Sequence, residues 1–360
     1  MKVAIIGLPN SGKTTVFNAL TRASAETAIF SSGRVEPNIA MVKVPDTRLV
    51  ELNEIYRPKK LTSAEVQYVD IGGLGGTEQR DEGLAPELLN FVGTADALLH
   101  VVRAFNDDRV PHPSGGVDVA RDVAAVDAEL MLADLILIER RLERVEKDIR
   151  KFSGSQRVQN LKEQQLLMRL KEELESERPI RDLSLTVQEE KVIRGFQLLS
   201  KKPVLLLLNI DENCINEPPT FDYPFRQSAV VELSAKVEAE LAQLEDDEAE
   251  EFMQDLGISE AARDRVIRMS YQLLGLISFL TVGEDEVRAW TIRCGMTAHE
   301  AGGVIHSDIQ RGFIRAEVIP CERLVTEGSI ASAKKRGLVR LEGKDYIVKD
   351  GDISHFLFNV

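Results

Sequence analysis

The chain has 360 residues, 43% of them hydrophobic and 29% charged, with 45 basic against 59 acidic side chains and a formal net charge of −14. At roughly 150 residues per domain this length calls for two or three domains, and the apolar-to-charged balance excludes a disordered chain. Net acidity excludes bulk, sequence-blind attraction to nucleic acid, so such a partner would need a local basic patch.

A short apolar strand, Val3 to Ile6, is too brief for the core of a signal peptide. It runs into a Gly-rich turn and then an amphipathic helix, Thr14 to Thr21. Gly7-Leu8-Pro9-Asn10-Ser11-Gly12-Lys13-Thr14 fills the pattern G-x-x-x-x-G-K-[ST] in that strand–turn–helix setting. In such a loop, backbone N–H groups and the helix N-terminus cradle phosphates. Lys13 is expected to neutralise the β- and γ-phosphates and the Thr14 hydroxyl to hold Mg²⁺. Asn10, Ser11, Gly12, Lys13, Thr14 and Thr15 are the expected phosphate-side contacts.

The next strand, Glu65 to Val69, ends at Asp70-Ile71-Gly72-Gly73, a D-x-x-G element. Asp70 is expected at the Mg²⁺, through water, and the Gly73 N–H at the γ-phosphate. Leu74 follows, where familiar GTPases carry a glutamine that orients the attacking water. Leucine has no polar atom for that task. A third strand covers Ala97 to Arg103, and a fourth, Pro203 to Leu208, ends at Asn209. Apolar runs that each close on a polar residue read as parallel strands buried on both faces, with ligands outside their carboxyl ends.

Asn209-Ile210-Asp211-Glu212 stands where a guanine-specific protein carries N-K-x-D. Ile210 replaces the lysine and Glu212 the aspartate that accepts from guanine's N1–H and 2-amino groups. Adenine is therefore the expected base, with a divergent guanine site as the alternative. Ser234-Ala235-Lys236 is the base-side loop, so Asn209, Ile210, Glu212, Ser234, Ala235 and Lys236 complete the expected nucleotide contacts.

Between the third and fourth strands, Leu135, Ile138, Leu142, Val145, Ile149 and Phe152 repeat at steps of three and four. The pattern breaks at Gly154 and resumes at Leu167, Leu170 and Leu174 until Pro179. This predicts an antiparallel helical hairpin, either a structural arm or a partner-binding one. Past Leu280 the chain turns to short strands, a small β-rich α+β domain. There Trp290, Arg288, Arg293, Arg311 and Arg315 read either as an RNA-facing patch or as ordinary strand alternation around one buried tryptophan. Cys214, Cys294 and Cys321 are too scattered for a disulfide framework or a zinc knuckle, and no stretch nears the ~20 apolar residues of a membrane span. A cytoplasmic location is expected. His100 reads as structural, and His299, His306 and His355 lack metal-ligand spacing.

Together GLPNSGKT, VEPNIAMVKVPDTRL, DIGGL, NIDE, LSAKVEAEL and the C-terminal GEDEVRAWTIRCGMTAHEAGGVIHSDIQRGFIRAEVI and LEGKDYIVKDGDISHFLFNV closely resemble the YchF (Obg-like ATPase) family over essentially the whole chain. The resemblance implies an α/β fold: a P-loop NTPase G domain with an inserted antiparallel coiled-coil hairpin and a C-terminal β-grasp-like TGS domain. The corresponding segments are 1–125 and 196–278 for the G domain, 126–195 for the hairpin and 279–360 for the TGS domain. It also implies a preference for ATP over GTP and association with the ribosome or ribosomal RNA; slow, Mg²⁺-dependent hydrolysis and no membrane or DNA partner are expected beside it.

His112, in the polar loop Asn106 to Pro113, matches the place where the family carries a histidine proposed to act in hydrolysis. A neutral imidazole there is expected to accept from water; an exposed loop histidine is the other reading. Asn10 could add a K⁺ ion at the phosphates, as in related folds. Two departures stand out: Arg34 occupies the usual switch threonine position, near Ser31 and Ser32, and Gly75 to Gly83 replaces a lysine-containing loop. A GTPase of the same fold and a non-hydrolysing, nucleotide-gated ribosome- or RNA-binding module are the competing functions.

Overall fold

The computed structural model describes residues 1–22, 37–70 and 91–359. Ser31, Ser32, Arg34, Gly73, Leu74 and the loop from Gly75 to Gly83 lie outside the described residues. The chain opens with β1 (Lys2–Ile6), α1 (Lys13–Thr21), β2 (Asn38–Lys43), α2 (Thr47–Tyr56), β3 (Lys60–Thr62), β4 (Glu65–Asp70) and β5 (Ala97–Ala104). Two long helices follow, α3 (Val119–Lys151) and α4 (Gly154–Glu175), then β6 (Val204–Ile210), β7 (Ser228–Leu233), α5 (Ala235–Leu241) and α6 (Ala262–Leu273). The C-terminal part holds β8 (Leu276–Thr281), β9 (Glu286–Arg293), α7 (Ala298–Ile305), β10 (Phe313–Pro320), α8 (Cys321–Glu327), β11 (Arg340–Glu342) and β12 (Asp352–Phe358). Among the described residues no helix is long and apolar enough to cross a membrane.

The chain divides into two compact units. The first comprises residues 1–40 and 67–266. Its sheet runs β2-β4-β1-β5-β6-β7, with β1 parallel to β4 and β5, and β6 parallel to β5 and β7. Every residue of β6 is buried, as the unbroken apolar run requires of a strand covered on both faces. Leu98 and Val102 of β5 and Leu206, Leu208 and Ile210 of β6 pack with Val123, Val126 and Leu130 of α3. Because these strands are parallel, the carboxyl ends of β1, β4, β5 and β6 lie at one edge of the sheet.

Helix α3 starts where the Asp118 side chain accepts from the Arg121 amide, and it continues for 33 residues. Ile138 and Val145 meet Leu166, Leu167, Leu170 and Leu174 of α4 in a core of their own. Arg141 pairs with Glu163 and Glu139 with Lys171, so late residues of α3 face early ones of α4 and the helices run antiparallel. Phe152, expected in the seam, is 42% exposed because α3 ends just before it. Asp134, buried on α3, accepts from the amides of Leu199 and Ser200 at 2.8 and 2.7 Å and from the Ser200 hydroxyl at 2.7 Å. Burial nevertheless pushes its carboxyl up to about 6. These bonds tie the arm's root to the segment entering β6.

The second unit comprises residues 41–66 and 267–360. Its sheet, β11-β10-β12-β8-β9-β3, mixes parallel and antiparallel pairs around Phe279, Ile292, Ala316, Val318 and Phe356. The structure departs here from the expected division, which kept residues 41–66 with the N-terminal segment. β3 pairs in parallel with β9, Lys60 opposite Glu286 and Thr62 opposite Arg288, and Arg48 of α2 donates to Asp350 at 2.8 Å. A three-residue strand carries too little periodicity to reveal its partner. Trp290 stacks on Phe279 with ring centroids 6.4 Å apart, its N–H donates to Thr281 Oγ1 at 3.0 Å, and the Arg288 guanidinium lies 3.9 Å from its ring centroid.

Candidate nucleotide-binding site

β1 delivers its chain into a turn that only glycine can make at two places. Gly7 has φ +144° and a Cβ there would collide with the Val101 carbonyl oxygen; Gly12 has φ +94° and a Cβ there would strike the Asn209 amide. Asn10 also takes positive φ, at 62°. The turn ends at Gly12, which caps α1, so the helix's first N–H groups point into the loop. Lys13 folds back over this loop, donating from Nζ to the carbonyls of Gly7 and Leu8 at 3.0 and 2.8 Å. Burial lowers its pKa to about 8, against an opposing pull from Asp70. A cation held this way is destabilised until an anion arrives.

Thr14 Oγ1 donates to Asp70 Oδ2 at 2.9 Å. Hydroxyl and carboxylate oxygens thus converge at the end of β4, a hard oxygen pair of the kind Mg²⁺ takes. Among the described residues no group of three or more His, Cys, Asp or Glu side chains could hold a metal by itself. Mg²⁺ normally needs no such cage, since substrate phosphates and waters complete its octahedron. Ser11 is buried, and its Oγ has no hydrogen-bond partner among the described residues. Thr15 is exposed on the first turn of α1.

On the base side, Asn209 is buried and uses both ends of its amide internally. Nδ2 donates to the Ser11 carbonyl and Oδ1 accepts from the Ala235 amide, each at 3.0 Å. It therefore pins the loop after β1 to the turn between β7 and α5. Ile210 packs in the core with Leu208, and Ser234 and Ala235 are buried. Glu212 and Lys236 are exposed and ion-paired at 2.7 Å.

The histidine loop is organised by Arg103, a residue whose role the sequence reading missed. At the end of β5 this buried guanidinium donates to the carbonyls of Phe105, Val110 and Asp107 at 3.1, 2.9 and 3.1 Å. An arginine closing an otherwise apolar strand was the available signal. His112 is not an exposed loop residue: its side chain is 6% exposed. Nor is it offered to water in this conformation, because Asp122 engages Nε2 at 2.9 Å and the Ser114 amide donates to Nδ1 at 3.1 Å. Asp122, on the first turns of α3, was also missed.

A parallel α/β sheet, a glycine-shaped phosphate loop with its lysine, and a Thr–Asp oxygen pair at neighbouring strand ends define a P-loop nucleoside triphosphatase fold. Residues 2–140 match the MMR_HSR1 family model, described as a 50S ribosome-binding GTPase. Residues 276–359 match the YchF-GTPase C-terminal model, described as a protein of unknown function (DUF933). The chain is 42% identical over 368 residues to the ribosome-binding ATPase YchF of Bacillus subtilis (strain 168), covering 100% of both chains. It is 42% identical over 364 residues to the ribosome-binding ATPase YchF of Escherichia coli O157:H7, covering 100% of this chain and 99% of the relative. The solved structure of the Schizosaccharomyces pombe YchF GTPase aligns with a TM-score of 0.86 at 31% identity, over 99% of this chain and 97% of that one. The chain belongs to the YchF family.

Proposed function

We propose that this chain is a ribosome-associated, Mg²⁺-dependent ATPase. The observation that carries the reading is the poised phosphate site, with Lys13 clamped over the carbonyls of Gly7 and Leu8 and Thr14 bonded to Asp70. Lys13 and the turn's N–H groups would bind the β- and γ-phosphates. Thr14 and Asp70 would hold Mg²⁺, which when bound neutralises charge developing between the β- and γ-oxygens. Gly73, Ser11 and Thr15 complete the phosphate side in this reading, and K⁺ beside Asn10 remains part of it.

Adenine is favoured because the Glu212 carboxylate is paired with Lys236 and Ile210 is withdrawn into the core. A guanine base would then find its N1–H and 2-amino groups without an acceptor, at a cost of about 1–3 kcal/mol. The ribosome enters through the bacterial relatives, whose names make them ribosome-binding ATPases. We read α3 and α4 as a coiled-coil hairpin inserted in a G domain drawn from residues 1–40, 67–125 and 196–266, and residues 279–360 as the body of a TGS domain. The test is competitive titration of a fluorescent ATP analogue with ATP and GTP, alongside ribosome pelleting of the intact chain. ATP should compete at least as well as GTP, and the chain should pellet in a salt-sensitive way. A tenfold GTP advantage, on the order of 1.4 kcal/mol, would reverse the assignment of the base.

A further inference from the structure

The loop between β5 and α3 carries its histidine in a pose that spends both ring nitrogens. Nδ1 accepts the Ser114 N–H at 3.1 Å, so in the neutral ring the proton sits on Nε2, which donates to Asp122 Oδ2 at 2.9 Å. The other oxygen of Asp122 accepts from Nε and Nη2 of Arg121 at 3.0 and 2.9 Å. The His112 and Asp122 side chains are 6% and 4% exposed. Together with Leu8, Pro9 and Ser11 they line a crevice without room for a water molecule. Asn10 closes the arrangement from the phosphate loop, its Nδ2 donating to the Pro111 carbonyl at 3.0 Å.

The two bonds to the ring differ in range. Ser114 lies two residues along the same loop and travels with it. Asp122 belongs to α3, a 33-residue helix fixed further along by Asp134. A movement of the loop away from α3 would break the Asp122 bond, while the Ser114 bond, local to the loop, can travel with it and hold the tautomer. The contact that such a movement must first undo, Asn10 to Pro111, sits inside the phosphate loop itself.

We propose that Asp122 is a positioning residue that stores His112 in its Nε2–H tautomer, and that triphosphate binding releases the ring to act as a hydrogen-bond donor to a terminal phosphate oxygen. His112 is then not the acceptor that the sequence suggests. This inference rests on the hydrolytic reading above. Donor chemistry suits phosphoryl transfer, in which charge is spread over the equatorial oxygens and positioned N–H groups stabilise it.

The first test does not depend on hydrolysis. In ¹⁵N NMR of the imidazoles, His112 without nucleotide should show the Nε2–H tautomer and a slowly exchanging ring proton, absent in Asp122→Ala. Adding Mg²⁺ and a non-hydrolysable ATP analogue should shift the Nε2–H resonance, as its acceptor changes from the Asp122 carboxylate to a phosphate oxygen, while the tautomer persists. An Nδ1–H tautomer, or an Nε2–H resonance unchanged by the analogue, overturns the proposal. The second test is ATP affinity together with single-turnover hydrolysis. If about nine-tenths of the nucleotide-free molecules store the ring, Asp122→Ala should bind ATP about tenfold more tightly, and adding His112→Ala should abolish the gain. Asp122→Asn, close in shape, guards against misfolding and should show a smaller rise. His112→Gln, which keeps an N–H, should retain rate that His112→Glu loses. ATP affinity in well-folded Asp122→Ala at or below the wild-type value refutes storage. His112→Ala without effect on wild-type turnover refutes the hydrolytic role instead, while the NMR result still decides the storage.

Discussion

Lys13 shows how one residue's environment prepares it for a ligand. Its ammonium rests on two carbonyls, and burial brings its pKa down to about 8 while Asp70 pulls the other way. A bound triphosphate restores the preference for the charged form. Above about pH 8 the free protein must therefore take up a proton to bind. Triphosphate affinity should be flat near neutrality and fall by up to about tenfold per pH unit above that point. Fluorescent-nucleotide titration from pH 6.5 to 9.5 reads this slope; Lys13→Ala should lose an order of magnitude or more in affinity and lose the slope as well. A flat wild-type profile would mean that Lys13 is charged throughout. Asn209 teaches a different lesson at this scale. Its motif was legible as a base-side element, but its observed partners, Ser11 O and Ala235 N, lie 198 and 26 residues away. No local pattern encodes contacts at that separation.

At the scale of elements, continuous apolar runs announced β1, β4, β5 and β6, and the heptad spacing announced α3 and α4 with the break at Gly154. These signals are local and periodic, so they survive in a single sequence. What stayed hidden is the conformation of the segment between β5 and α3, which has no period. Its shape depends on Arg103, whose three bonds reach the carbonyls of Phe105, Asp107 and Val110. Arg103→Ala would leave three loop carbonyls without their donor, and the guanidinium's packing on Phe105, 4.6 Å to the ring centroid, would go with it. A destabilisation of about 1–3 kcal/mol is expected. Amide hydrogen exchange should accelerate first at Val110, whose N–H donates to the Asp107 carbonyl, and at Ser114, while β5 itself stays protected. Uniform loosening of β5 and the loop together would show that Arg103 holds the strand rather than the loop.

For the whole molecule, stability toward acid depends in part on groups that burial holds away from their ordinary protonation. His100, buried on β5, is lowered to about 3 by desolvation, with the charges of Lys13 and Arg181 adding to it. Asp134 is raised to about 6, also by burial. The signs oppose. Between about pH 6.5 and 3 the unfolded chain binds a proton at His100 that the folded chain refuses, so stability falls as pH falls, by up to about 1.4 kcal/mol per unit. Between about pH 6 and 3.8 the folded chain binds a proton at Asp134 that the unfolded chain lacks, so that contribution rises as pH falls. Within this shared window the two terms largely offset each other, and removing either should expose the other. Urea unfolding followed from pH 7 to 4 is the measurement. His100→Leu should flatten the acid slope or reverse it, whatever its packing does to stability at pH 7. Asp134→Asn should steepen the slope toward acid by about one proton's worth. Equal slopes for wild type and His100→Leu would mean that the folded protein admits a proton at His100, and that the core around β5 opens before the chain unfolds.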